Sequence, residues 1–112
     1  MKPIKRIKDP FFSTRKTRYA FIDGKACSNI KMAYEKLEEQ LSFPDYFGYN
    51  LDSLDEMLSD LSWILQPRIR LIIFDIPSLL SKDLDNKESF LDIMNEHQNK
   101  RLEVVLVGPR LA

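Results

Sequence analysis

Tyr19-Ala20-Phe21-Ile22 is an apolar run that breaks at Asp23-Gly24, which reads as a short strand ending in a turn. Ile30, Ala33, Tyr34, Leu37 and Leu41 then recur at helical spacing, with Ser28 or Asn29 as the N-cap and Pro44 as the stop. In the loop that follows, Gly48 permits an unusual backbone angle, and Asn50 is a good N-cap for a second helix. Leu51, Leu54, Met57, Leu58 and Leu61 fall on one side of this second helix. Asp52, Asp55, Glu56, Ser59 and Asp60 fall on the other, since each residue advances the helix by about 100°. Arg68 to Phe74 carries Ile69 and the run Leu71-Ile72-Ile73-Phe74, which predicts a central strand buried on both faces.

Pro77 and Leu79-Leu80 predict a short connecting turn or helix. Asp83 or Asp85 then caps a helix that repeats Phe90, Ile93, Met94 and His97, and Leu102 to Val107 is the last strand, ended by Gly108-Pro109. Strands separated by helical crossovers pair in parallel with right-handed connections. The expectation is an α/β fold, a small three-stranded parallel sheet packed with helices.

With 112 residues, 44% hydrophobic and 30% charged, the chain has the composition of one globular domain that needs no disulfide or metal to form a core. Its longest aliphatic and aromatic run is four residues, far short of a bilayer span, and the basic N-terminus lacks the apolar stretch of a secretory signal. A single cysteine, Cys27, fits a reducing compartment, so the expected location is the cytoplasm.

The formal net charge of zero hides an asymmetry. Residues 1–18 hold seven basic side chains against Asp9 alone, whereas residues 19–112 carry a net charge of −6. This divides the chain into a basic N-terminal arm, 1–18, and an acidic domain, 19–112. The arm reads as a solvated terminal segment, which Phe11 and Phe12 could anchor, rather than as a nucleic-acid arm. Between Glu38 and Asp60 stand seven carboxylates and no lysine or arginine, and an acidic face of this kind calls for a cationic partner.

Helix dipole compensation explains Asp52 in the first turn but not Glu56 and Asp60 further along. Asp52–Glu56 and Glu56–Asp60 are like-charged pairs four residues apart, each unfavourable by roughly 0.2–0.5 kcal/mol on an isolated helix. A catalytic acid–base pair would need one buried and one solvated carboxylate, which a shared exposed face does not supply. A calcium loop is suggested by Asp83-Leu84-Asp85-Asn86-Lys87-Glu88, but Glu88 stands where glycine is required and Met94 where the closing glutamate belongs. Contact with a basic partner needs only exposure and rigidity, and it fits best. No metal or cofactor is implied.

The run Pro44-Asp45-Tyr46-Phe47-Gly48-Tyr49-Asn50-Leu51-Asp52-Ser53-Leu54 resembles the signature of the barstar family of ribonuclease inhibitors. The predicted order of elements matches as well, so the resemblance covers about residues 19–107. It implies a protein that plugs the active site of a basic ribonuclease and is not itself an enzyme. The resemblance makes Tyr46 a loop contact, Asn50 and Leu51 the start of the inhibitory helix, Asp52 an acidic contact and Glu56 the main carboxylate. Glu96 corresponds to an outlying glutamate on the late helix. Phe47, Asp55 and Asp60 complete the expected contact surface. Two residues depart from the family pattern: Asp55 replaces a tryptophan, and Glu56 is one methylene longer than the family's aspartate.

These readings predict an inhibitor of a basic ribonuclease or nuclease toxin, forming a one-to-one complex and monomeric when free, because two acidic faces repel. The alternative is an interaction module that binds a different basic protein on the same face. His97 reads as a satisfied, partly buried histidine, Cys27 as structural and Trp63 as core.

Overall fold

A computed structural model describes residues 14–109. The elements run β1 (Thr17–Asp23), α1 (Ile30–Leu41), α2 (Leu51–Asp60), β2 (Arg68–Phe74), α3 (Leu84–Glu96) and β3 (Leu102–Leu106). Short 3-10 turns at Gly24–Ala26 and Ile76–Ser78 follow β1 and β2. The three strands form one sheet in the order β1-β2-β3, with both pairings parallel and Ala20, Leu71 and Val104 in register across it. Among the described residues no helix is long and apolar enough to cross a membrane.

Burial alternates along the strands and thereby places the core. Ala20, Ile22, Ile69, Leu71, Ile73, Leu102 and Val104 face the helices and are buried with Leu37, Leu41, Leu54, Leu58, Phe90 and Met94. The far face carries Arg70 and Glu103, which are exposed, and Ile72, Phe74 and Val105, which are half-buried. The expectation that β2 is buried on both faces is therefore corrected. All three helices supply side chains to a single core, and no described helix lies over the other face. The unbroken Leu71–Phe74 run is explained instead by partial burial of Ile72 and Phe74, the latter stacked on Phe21 with ring centroids 5.7 Å apart.

Sequence and structure agree on β2 to the residue, while other boundaries move for identifiable reasons. β1 opens at Thr17, so Thr17 and Arg18 are strand rather than arm. The Thr14 hydroxyl accepts the Thr17 amide at 2.9 Å, and its carbonyl accepts from Gln66 Nε2 at 3.1 Å, which ties the described start of the chain to the domain. Residues 1–13, the rest of the expected arm, lie outside the described residues. α1 ends before Pro44, at Ser42, whose φ of 54° stops the helix. α3 ends at Glu96 with His97 as its C-cap, and β3 ends one residue before Val107.

Cations from the strands close helices that lack their own. Neither α1 nor α2 has a basic residue in its last turn. Arg18 of β1 donates to the Gln40 carbonyl at 3.1 Å and to the Ser42 hydroxyl at 2.8 Å. Arg101 donates to the carbonyls of Leu61, Ile64 and Gln66 at 2.6–3.0 Å, closing the end of α2 and the link to β2. Both guanidiniums satisfy otherwise orphaned carbonyls and sit at the negative ends of helix dipoles. Asp83 does the converse: its carboxylate accepts the Ile30 amide at 2.9 Å and so caps α1 rather than its own helix. Gly24 allows the first crossover to pass close to the second, since a Cβ there would meet the Asp75 carbonyl oxygen at 2.3 Å.

Cys27 is fully buried at the β1–α1 junction, with Sγ 3.8 Å from the Met32 carbonyl. Burial pushes its thiol up from 9.0 to about 11. The folded pKa is thus above the unfolded one, so the thiol's contribution to stability is complete below 9.0 and is lost as pH rises toward 11. Native protein at about pH 8 is expected to resist iodoacetamide and to be modified rapidly only in denaturant, because the thiolate is the reactive form. Equal rates in the two conditions would contradict this burial.

Candidate functional site

The loop between α1 and α2 is built on an aromatic brace. Phe43 and Phe47 are 6% and 5% exposed and pack edge to face, with ring centroids 4.9 Å apart. Phe43 also meets Trp63 at 6.0 Å, and Phe47 meets Tyr34 of α1 at 5.5 Å, both edge to face. Trp63 is half-buried, and its indole N–H donates to the Leu41 carbonyl at 2.8 Å. Phe47, expected among the contact residues, is largely enclosed by Phe43, Tyr34 and Tyr49 and braces the loop from beneath. Tyr46, its neighbour, is 65% exposed and projects from the same loop.

The start of α2 is fixed by a compact set of hydrogen bonds. Asn50 Oδ1 accepts the Ser53 amide at 2.8 Å, Asn50 Nδ2 donates to the Gly48 carbonyl at 3.1 Å, and the Gly48 amide donates to Ser53 Oγ at 2.8 Å. The left-handed residue here is Tyr49, with φ 51°, and no described glycine has positive φ. Gly48 is set tightly rather than strained in its backbone angle: a Cβ would sit 3.2 Å from Asn50 Nδ2, which would have to give by a few tenths of an ångström, and in ordinary contact, 3.4 Å, with Ser53 Cβ. Left-handed backbone costs an L residue roughly 1–2 kcal/mol. Ring contacts with Phe47 and Tyr34, and a hydrogen bond from its hydroxyl to Glu38, offset that cost for Tyr49. The Glu38 carboxylate also holds the Tyr49 phenol above its ordinary 10.0.

Beyond the cap, Leu54, Met57 and Leu58 pin α2 to the core, and Leu51 is half-buried at its first position. Asp52, Asp55, Glu56 and Asp60 are all exposed. Among the described residues no lysine or arginine forms an ion pair with any of the four. Asp52 borders a shallow depression of about 390 Å³, lined also by Ile30, Tyr34, Tyr49 and Asn86.

Asp55 differs from its neighbours. Its Oδ1 lies 2.6 Å from Nε2 of His97, which is the C-cap of α3 and has a side chain 16% exposed. The contact joins the middle of α2 to the end of α3, whose last residue, Glu96, is exposed. The sequence pattern gave His97 the right phase but could not show its partner, since Asp55 lies 42 residues away.

A sequence model described as "Barstar (barnase inhibitor)" matches residues 17–107, nearly the whole described chain. The chain is also similar to the Bacillus subtilis (strain 168) protein named "Putative ribonuclease inhibitor YrdF", 33% identical over 75 residues. That alignment spans 66% of this chain and 69% of the relative. The parallel three-stranded sheet, the aromatic loop and the capped acidic helix thus occur in a chain that belongs to the barstar family.

Because Asn50 supplies both the cap and the link back to Gly48, Asn50→Ala is expected to destabilise the fold by about 0.5–2 kcal/mol. Urea unfolding measures this, and unchanged stability would show that the cap does not hold the helix start.

Proposed function

We propose that the chain inhibits a basic ribonuclease by laying the 43–50 loop and the outer face of α2 across the enzyme's active site. The observation that carries this reading is the row Asp52, Glu56 and Asp60, exposed on one rigid helix with no cationic partner among the described residues. Family membership and the printed name of the Bacillus relative support the same reading.

A ribonuclease site must be cationic to hold RNA phosphates. Carboxylates on a fixed helix accept hydrogen bonds from its Arg, Lys and His⁺ groups in place of phosphate oxygens. Opposed charges steer the encounter, and carboxylate–guanidinium contacts that lose their water slow release. The brace and cap keep these groups in position before the enzyme arrives, so little ordering entropy is lost on binding. Glu56 is the central carboxylate, Asp52 and Asp60 flank it, Tyr46 contributes an exposed ring and Glu96 extends the face from α3.

Asp55 acts differently from the tryptophan that the family pattern has at this position. Held by His97, it ties α2 to α3 while its side chain stays about half exposed. The target surface opposite it is correspondingly more cationic. The protein works by binding rather than catalysis, in the cytoplasm, as a monomer that forms a one-to-one complex. When the nuclease is a toxin, the same contacts make it an immunity protein.

Glu56→Ala and Asp52→Ala are each expected to weaken binding to a small basic microbial ribonuclease by roughly 2–5 kcal/mol, the scale measured for charge pairs of the barnase–barstar type itself. Wild-type affinity is expected to fall with added salt. Equal affinity of the wild type and both variants would reject this face as the inhibitory one. Binding of a basic protein other than a nuclease would favour the interaction-module reading.

A further inference from the structure

The three strands begin around a second charged feature, a cleft of about 270 Å³ that shares no residue with the acidic face. Arg68, Arg70, Lys100 and Arg101 line it, with Glu103 as its one carboxylate. Glu103 is engaged by Arg70, Nε to Oε1 2.8 Å, so that pair is self-compensated. The three hydrogen bonds of Arg101 go to main-chain carbonyls at the end of α2 and in the link to β2, so its guanidinium is committed to that helix end. Arg68 and Lys100 are exposed, and among the described residues neither side chain has a hydrogen-bond or ion-pair partner.

The polar atoms of the cleft are also biased toward donors. Asn99 Oδ1 is taken by the amides of Arg101 and Leu102 at 2.7 and 2.9 Å, and Gln98 Oε1 by the Val104 amide at 3.0 Å. What remains open is mostly donors, the NH₂ of Gln98, the Arg68 guanidinium and the Lys100 ammonium, beside the second oxygen of Glu103 and the Thr17 hydroxyl. A concave, donor-rich cleft with two unpaired cations, Arg68 and Lys100, is complementary to a compact oxyanion with several acceptor oxygens. The acidic helix of a second copy fits poorly, because a helix about 10–12 Å across cannot enter a cleft of this size.

We propose that this cleft binds a phosphoryl group, supplied by free phosphate, by a mononucleotide or by the backbone of single-stranded RNA. The site stands independently of the inhibitor reading. It could not be found from sequence, because its cations come from the starts of two strands about thirty residues apart and each looks solvated in isolation.

The test uses full-length protein with three probes: inorganic phosphate, 5′-AMP and a fluorescent single-stranded RNA decamer. Wild type is expected to bind at least the RNA at low salt. The double variant Arg68→Ala with Lys100→Ala is expected to bind about tenfold more weakly, with a salt-dependence slope shallower by about 1.4 for the two lost phosphate contacts. Lys31→Ala with Lys82→Ala removes the same charge at two exposed residues that do not line the cleft, and is expected to change affinity much less. Unaltered melting of both variants shows that the fold is intact. Binding of all three probes assigns the site to the phosphoryl group alone, and binding of RNA only assigns it to the polymer backbone. Three results would overturn the proposal: no probe bound by wild type, equal loss in the two double variants, or wild-type self-association abolished by the cleft variant.

Discussion

Phe43 and Phe47 pack edge to face between α1 and the Trp63 link, and the position of the acidic helix depends on that contact. Without it, the segment from Ser42 to Asn50 would be a polar loop whose ends alone were fixed. With it, two rings are drawn into the core and the backbone between them is held closely enough for Gly48, Asn50 and Ser53 to interlock. Tyr46 is left outside by the same geometry. A loop rich in aromatics thus serves mainly for rigidity, with the Tyr46 ring the most exposed of its motif.

Charge follows a complementary logic. The helices α1 and α2 keep basic residues out of their last turns, and the strands supply Arg18 and Arg101 to close them. Cations are thereby gathered at the end of the sheet where the strands begin, and carboxylates stay unneutralised on α2. Had lysines been interleaved along α2 to relieve Asp52, Glu56 and Asp60, the helix would be more stable and the face would lose its field. Selection for stability alone would favour those lysines, so their absence points outward, to a partner.

The sequence conveyed most of the fold because each element carried its own period. The spacing of Ile30, Ala33, Tyr34, Leu37 and Leu41 defines α1, and the β-branched and aromatic runs define the strands. Contacts between distant residues were not legible. Asp55 reads as a free surface charge until His97 is placed against it, and Phe47 reads as a contact ring until the wedge beneath it is seen. Gly48 invited a backbone-angle argument, whereas the strained angle belongs to Tyr49 and is tolerated through Glu38. The double-sided burial expected for β2 failed because an apolar run cannot distinguish full burial from a half-covered sheet face.

The central claim is that a preformed acidic face on α2, with Tyr46 beside it, occupies a ribonuclease active site. The most direct measurement is an amide NMR titration of the labelled full-length protein with a small basic microbial ribonuclease, with RNA cleavage followed in parallel. Saturation at one equivalent, shifts centred on Tyr46, Asn50 to Glu56 and Glu96, and loss of cleavage are predicted. Shifts confined to the far face of the sheet, or binding that leaves cleavage intact, would contradict it.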